Sequence, residues 1–530
     1  MDLASEILVC LTIAALCAGT VRLVALPLPL VQTIAGVLLA WPLGMTLELD
    51  PHAFLLLLIP PLLFIDGLRI PKREFRQHRP TILMMAFGLV LLTVLVVGLL
   101  IDWLVPAIPR PVAFAIAAAL SPTDAVAVAG MTGGVTVPPR LMTILQGEAL
   151  FNDASGLVSL RVAVAAMVTG AFSWGSALGS FVLVSAGGVA IGIVLSWLFV
   201  RLLRLVFGAE DEAAAAPRIL LLLLFPYAAY LAAEQFHLSG ILAAVAAGMS
   251  ANRFELFDPN HRATRMQGDS VLHMHELALN GLVFVLLGLQ LPRIAAAAPA
   301  IARGAELSAS AFAIDIALVF GALLVIRLVW VRVSLHATMR RVRAGGGRPR
   351  FTPSWRLTLA TAVAGVRGAV TLAAALTLPL TIADGSLFPA REVAILVCAA
   401  VIVVWLVVAS ASLPLLFRGV TLPPENADTS SRLRARLAMA AIEAIEKVRD
   451  DQNLPASTAE LVLETYRARL LDDAVHDPTV RSNLLAIGVA AERALLLELK
   501  AKSEVSEAEF RHHEHQLDLV EEALASSRSA

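Results

Sequence analysis

Leu120-Ser-Pro-Thr-Asp-Ala-Val126 interrupts an apolar run that extends from about residue 111 to residue 132. Pro122 has no backbone N–H and cannot close a helical hydrogen bond, so a helix through this run must break near its middle. In lipid the backbone groups freed by such a break need partners from the protein itself, and Thr123 and Asp124 are the polar side chains at hand. The run therefore reads as a discontinuous membrane helix. Composition agrees: 58% of the 530 residues are hydrophobic and only 16% charged, outside the range of ordinary soluble domains.

Working outward, apolar runs between charged or Pro/Gly breaks give thirteen candidate spans. They lie near 3–20, 25–44, 52–68, 80–101, 111–132, 140–170, 175–203, 217–236, 238–252, 273–291, 308–331, 356–380 and 391–417. About 20 apolar residues are needed to cross a hydrocarbon core of about 30 Å as a helix. The first run lacks a basic leader region, so it is expected to be retained as a span. With the N-terminus outside, thirteen crossings place 20 Lys and Arg residues in cytoplasmic loops and four (Arg110, Arg293, Arg303 and Arg391) in the opposite ones. This positive-inside bias favours an odd number of crossings and a cytoplasmic C-terminal tail. The small-residue stretches Gly187–Gly192 and Ala243–Gly248 are expected where helices approach closely.

The chain thus divides into a transmembrane part, 1–420, and a polar helical part, 421–530. From Glu425 onward there are 20 acidic and 13 basic residues, interleaved with Leu433, Leu437, Ala440, Ile442 and Ile445 at helical spacing. That tail has no phosphate-binding loop, no Cys/His cluster and no basic patch with aromatics, so nucleotide, zinc and nucleic-acid functions have no support. Cys10, Cys17 and Cys398 all lie in apolar runs, which argues against disulfides and Cys-based metal sites. No cofactor motif is present.

Ionisable residues deep in a span cost about 2.5–3.5 kcal/mol each on insertion scales and are functional candidates by default. Besides Thr123 and Asp124, Gly147-Glu-Ala-Leu-Phe-Asn-Asp-Ala-Ser155 carries Glu148, Asn152 and Asp153, which are expected close to one helical face. Gly365-Val-Arg-Gly-Ala-Val370 places Arg367 between two glycines that allow an unwound segment. Arg327 stands alone in the apolar segment Ala322–Val331. The breaks at Asp124 and Arg367 fall in the fifth and twelfth spans, corresponding positions of two halves, as in transporters built from inverted repeats. His237, His273, His275 and His336 lie at span ends. Asp315 and Glu6 are placed at interfaces, and Trp41, Trp103, Trp174, Trp355 and Trp405 read as interface anchors or lipid-facing bulk.

Together with Pro60-Pro-Leu-Leu-Phe64 and Asn280-Gly-Leu-Val-Phe-Val-Leu-Leu-Gly288, these motifs resemble, in order, the monovalent cation/proton antiporters of the first such family. That family contains the bacterial sodium/proton antiporters and the sodium/hydrogen exchangers, and the resemblance spans roughly residues 5–420. It implies an all-α membrane fold with two broken, crossing helices and a homodimer with a dimerisation domain and a mobile core domain. It also implies that Asp153 binds cation and proton alternately, and that Glu148 and Arg327 form a buried pair. Na+ at Asp153, with Asn152, Asp124 and Thr123 around it, is the expected metal site. Asn152 supplies oxygen without titrating, so one proton for one monovalent ion is expected, and the Asn-Asp pair resembles the electroneutral branch.

Three positions depart from the family pattern. Ala149 follows the glutamate where Ser is common, and the usual Thr-Asp-Pro is Thr123-Asp124-Ala125. The acidic residue expected directly after the Pro-Pro segment is Ile65, with Asp66 one place later and rotated by about 100°, which makes Asp66 a weaker pore candidate. The sequence points to exchange of Na+, with Li+ as a further substrate, for H+ across the bacterial inner membrane in pH and sodium homeostasis. A K+/H+ antiporter is the nearest alternative. A cation channel or a membrane sensor belongs to a different class, but neither a carboxylate ring nor a filter loop is present.

Overall fold

The computed structural model describes residues 3–418 except 22–25, 42, 46–49, 71, 133–136, 138, 171–173, 208–214, 252–261, 305–307, 345–353 and 383–384. Beyond these it describes 439–450 and a few positions between 460 and 494. Two units result, Met1–Val420 and Thr421–Ala530.

In the first unit the helices are α1 (Leu3–Thr20), α2 (Leu28–Ala40), α3 (Pro51–Arg69), α4 (Lys72–Leu83), a π-helical turn (Met84–Leu89) and α5 (Val90–Leu104). There follow α6 (Arg110–Ala119), α7 (Ala125–Met131), α8 (Pro139–Thr169), α9 (Trp174–Phe207), α10 (Ala215–Gln235) and α11 (Gly240–Ala251). The last are α12 (Arg262–Gly304), α13 (Ala309–Ala344), α14 (Trp355–Val363), α15 (Ala369–Leu376) and α16 (Arg391–Phe417). Each of the thirteen apolar stretches holds a helix or a pair of half-helices, and the two predicted breaks fall between α6 and α7 and between α14 and α15.

Seven helices among the described residues are long and apolar enough to cross a membrane by themselves. The expected boundaries need correction. α12 runs for 43 residues where the apolar pattern marked 273–291, because its charged and Ala-rich ends are still good helix formers. Conversely α11 has only 12 residues, about 18 Å of helix, and is buried along nearly all of its length.

Packing sorts the helices into two groups. α1, α2 and α3 pack with α9–α12, and α4–α8 pack with α13–α16. In the first group the glycines set the closest approaches. A Cβ on Gly36 of α2 would lie 2.9 Å from the Cα of Gly288 on α12, so the two backbones touch, as small residues allow in membranes. Gly192 likewise rests on the Ala243 carbonyl and Gly248 on that of Phe64, which accounts for both small-residue stretches. The groups meet along α12–α16, α8–α9 and α3–α15. Arg161 of α8 also reaches Glu234 of α10 at 2.9 Å.

In the second unit residues 439–450 are helical, with Ala440, Ile442 and Ile445 inside that stretch. Leu433 and Leu437 lie outside the described residues. Arg467 joins Glu460 at 2.5 Å and Glu446 at 3.5 Å.

Candidate functional site

The two breaks meet. α6 ends at Leu120 and α7 starts at Ala125, while α14 ends at Val363 and α15 starts at Ala369. Between them the Asp124 N–H donates to the Val366 carbonyl at 2.8 Å, so each unwound segment satisfies the other. The Asp124 carboxylate caps α7 by accepting from the Ala127 N–H at 2.9 Å, as expected of an N-cap aspartate. Gly368 opposite has no room for a side chain, because a Cβ there would run into the Asp124 carboxylate.

Half-helices that end inside a membrane leave carbonyls unpaired and carry partial negative charge. Arg367 is 3% exposed. Its Nε donates to the Leu120 carbonyl at 2.8 Å and its Nη1 to that of Gly365, so one guanidinium serves the ends of both α6 and α14. Its face lies 4.3 Å over the Trp405 ring, whose Nε1 donates to the Val363 carbonyl at 2.9 Å. From α13, Arg327 reaches the Thr361 carbonyl at 3.2 Å. Its fork also closes on Glu148, Nη2 to Oε2 at 2.8 Å and Nη1 to Oε1. Both partners are at most 2% exposed.

Glu148, Asn152 and Asp153 do not share one wall. At about 100° per residue, Asp153 stands about 140° round α8 from Glu148, and the three side chains have different surroundings. Glu148 goes to Arg327, while Asn152 spans the first break: its Nδ2 donates to Thr123 Oγ1 at 2.6 Å, and its Oδ1 accepts from the Thr123 N–H at 3.4 Å. Asp153 is 6% exposed, and its Oδ1 is buried with no hydrogen-bond partner. The charges acting on it are those of Asp124 and Asp66. Asp66, on α3, is near enough for its charge to act on both Asp153 and Asp124. Ala149 is half-buried and supplies no hydroxyl.

Below Asp153 the α8 helix is fixed to the π-helical turn, with Ser155 Oγ donating to the Ala86 carbonyl at 2.7 Å. Gly156 lies against Ser121 and Pro122 of the break. π-turns are frequent near functional sites.

Several contributors escaped the sequence reading. Trp405, read as an anchor or lipid-facing bulk, is 1% exposed and sits at the crossing, because its apolar neighbourhood hid a hydrogen bond made by its single N–H. Trp41, Trp103 and Trp355 are exposed as expected, and the Trp174 side chain lies outside the described residues. Arg391, counted as a loop charge, donates to the carbonyls of Leu378 at 2.9 Å and Leu376 at 3.1 Å, at the end of α15. Thr371 Oγ1 on α15 is buried without a partner, and a lone Thr after Gly-Ala-Val carries no signal. No cluster of three or more His, Cys, Asp or Glu residues able to hold a metal ion occurs among the described residues.

A buried carboxyl with a vacant oxygen, set where two interrupted helices cross, is the arrangement found in ion-coupled transporters. Comparison with known proteins agrees. The family model for the transmembrane region of sodium/hydrogen exchangers matches residues 8–419. An Escherichia coli (strain K12) protein named as an uncharacterized Na+/H+ exchanger, YjcE, is 40% identical over 94% of this chain and 94% of its own length. The sodium, potassium, lithium and rubidium/H+ antiporter of Bacillus subtilis (strain 168) is 35% identical over 96% of this chain and 76% of its own. Among solved structures, the sodium proton antiporter MjNhaP1 of Methanocaldococcus jannaschii aligns with a TM-score of 0.58 at 18% identity, covering 79% of this chain and 98% of that one, and so shares the fold. With its motifs, its crossed half-helices and a family match over most of its length, the chain belongs to the sodium/hydrogen exchanger family, a family of multi-pass membrane antiporters.

Proposed function

We propose that this protein exchanges Na+ for H+ by secondary active antiport across the bacterial plasma membrane, one ion for one proton, with Asp153 as the shared site. The observation that carries the reading is the vacant, buried Oδ1 of Asp153. A carboxylate there can coordinate a cation or take up a proton, and occupancy by one excludes the other. Exchange follows from that exclusion. The Asn152 amide, engaged with Thr123, holds α8 against the first break. Asp124 and Asp66 add negative charge that draws cations toward the site, and Thr123 offers oxygens beside it. Glu148, Arg327 and Arg367 neutralise each other and the helix ends, which leaves the carboxyl of Asp153 as the charge that changes in each turnover.

In the cycle, the group α4–α8 with α13–α16 carries the occupied site past the group α1–α3 with α9–α12, which forms the homodimer contact. The N-terminus lies outside and the tail in the cytoplasm, on the strength of the arginine bias. No covalent step or cofactor is involved. The name of the Bacillus subtilis relative includes potassium, lithium and rubidium, which favours a broad cation range and makes K+/H+ exchange the second reading.

Everted membrane vesicles with a pH-sensitive dye test both. Addition of Na+ is expected to dissipate a preformed ΔpH in wild type and to leave it intact in Asp153→Asn, and separate additions of Li+ and K+ rank the cations. Collapse of the membrane potential is expected to leave the Na+ response unchanged if exchange is one for one. An Asp153→Asn protein that exchanges at the normal rate overturns the assignment.

A further inference from the structure

A crevice of about 430 Å³ opens between α13 and α14, within the roughly 300–1,000 Å³ usual for small-molecule sites. Leu328, Val329, Val333 and Leu359 form its apolar walls, and Trp355, Thr358 and Arg332 complete the lining. Val329 and Val333 are 55% and 57% exposed on a segment, Ser310–Ala337, that is long and apolar enough to cross a membrane. The crevice therefore faces lipid. Arg332 lies near the end of that segment, where headgroups begin, and Trp355, 67% exposed, is the residue type enriched at that depth.

Charge identifies the occupant. Arg332 is exposed, and its guanidinium has no hydrogen-bond or ion-pair partner among the described residues, its main-chain carbonyl alone being engaged, with His336. Arg356 stands in the first turn of α14, next in sequence to Trp355 of the lining, and the N-terminal end of that helix contributes further positive potential. A cation without a counter-ion, beside an apolar slot in the membrane, matches a molecule with a phosphate at one end and an alkyl chain at the other. Basic pockets between membrane helices hold acidic lipid headgroups for this reason.

We propose that the α13–α14 crevice binds an anionic phospholipid, with its phosphate at Arg332 and an acyl chain along Leu328, Val329 and Leu359. The position has a consequence for transport. Arg327, five residues earlier on α13, bonds to Thr361 of α14 and to Glu148, so a chain seated between the same two helices fixes the spacing on which those bonds depend.

Native mass spectrometry of the full chain tests the site independently of transport. The protein is equilibrated with an equimolar mixture of phosphatidylglycerol and phosphatidylcholine of identical chains. Wild type is expected to retain phosphatidylglycerol about fivefold over phosphatidylcholine. Arg332→Gln is expected to bring the two to parity, Val329→Trp to reduce retention of both, and Arg201→Gln, at an exposed cation near the end of α9, to leave the preference intact. Parity in wild type, or a preference that survives Arg332→Gln, overturns the proposal. Equal loss in Arg201→Gln does so too, by showing diffuse surface attraction. Displacement of the lipid by chain-free glycerol phosphate at the same concentration removes the acyl slot. Should Val329→Trp fail to fold, Arg332→Gln at its exposed position decides alone.

Discussion

Glu148 and Asp153 are five residues apart on one helix and carry the same chemical group, yet their surroundings give them opposite properties. Glu148 is locked by a two-pronged contact with Arg327 inside the protein, and removal of one member of such a buried pair strands the other charge. Glu148→Gln is expected to lower stability by about 3–5 kcal/mol, visible as a lower melting temperature in detergent. Replacing both partners, as Glu148→Leu with Arg327→Met, is expected to cost less than either single change. Asp153 has an oxygen that no protein group satisfies, so the neutral near-isostere in Asp153→Asn is expected to melt at or above the wild-type temperature while transport is lost. A stability gain that accompanies loss of activity is the mark of a residue kept for function. If Asp153→Asn instead lowers the melting temperature by as much as Glu148→Gln, the carboxyl is structural and the assignment fails.

For the elements, the decisive feature is that side chains satisfy the carbonyl ends of the half-helices α6, α14 and α15 and the start of α7. Arg367 serves α6 and α14, Arg327 and Trp405 serve α14, Arg391 serves α15, and Asp124 caps α7. Arg367→Lys keeps the charge but loses the planar fork, so it cannot hold Leu120 and Gly365 together. It is expected to reduce the Na+-driven dye response by about tenfold or more, since two unpaired carbonyls at about 1–3 kcal/mol each disturb the crossing. Activity equal to wild type would show that charge alone suffices. In the other helix group the contact of Gly36 with Gly288 leaves no space for a β-branched side chain. Gly288→Val is expected to cost at least about 1–3 kcal/mol through overpacking, measured as a lower melting temperature without a specific change in cation preference.

Across the whole molecule, the membrane class and both breaks are legible in the sequence because proline, paired glycines and charges in apolar runs leave marks that survive in one dimension. Three-dimensional direction leaves no such mark. The face carrying Asp153 was misjudged because five residues turn a helix well past a full revolution. Trp405 was missed because burial in lipid and burial in protein look alike in an apolar sequence. Helix ends such as those of α12 ran past their apolar windows, since membrane hydropathy reports where lipid is and not where a helix stops. The proposed orientation belongs to this scale. A membrane-impermeant maleimide on intact cells is expected to label a cysteine placed by Ser308→Cys and not one placed by His336→Cys, in a background lacking the native cysteines; the reverse pattern would invert the topology. Deletion of residues 425–530 is expected to shift the pH profile of exchange or the dimer fraction; intact dimers with an unchanged profile would show that the tail governs neither. Finally, the indole of Trp405 is pressed against the Arg367 guanidinium and bonded to the end of α14. An indole in so fixed and polar a setting is an intrinsic fluorophore at the crossing of the half-helices. In a chain whose six other tryptophans are replaced by phenylalanine, its emission would report ion arrival optically, with no label attached.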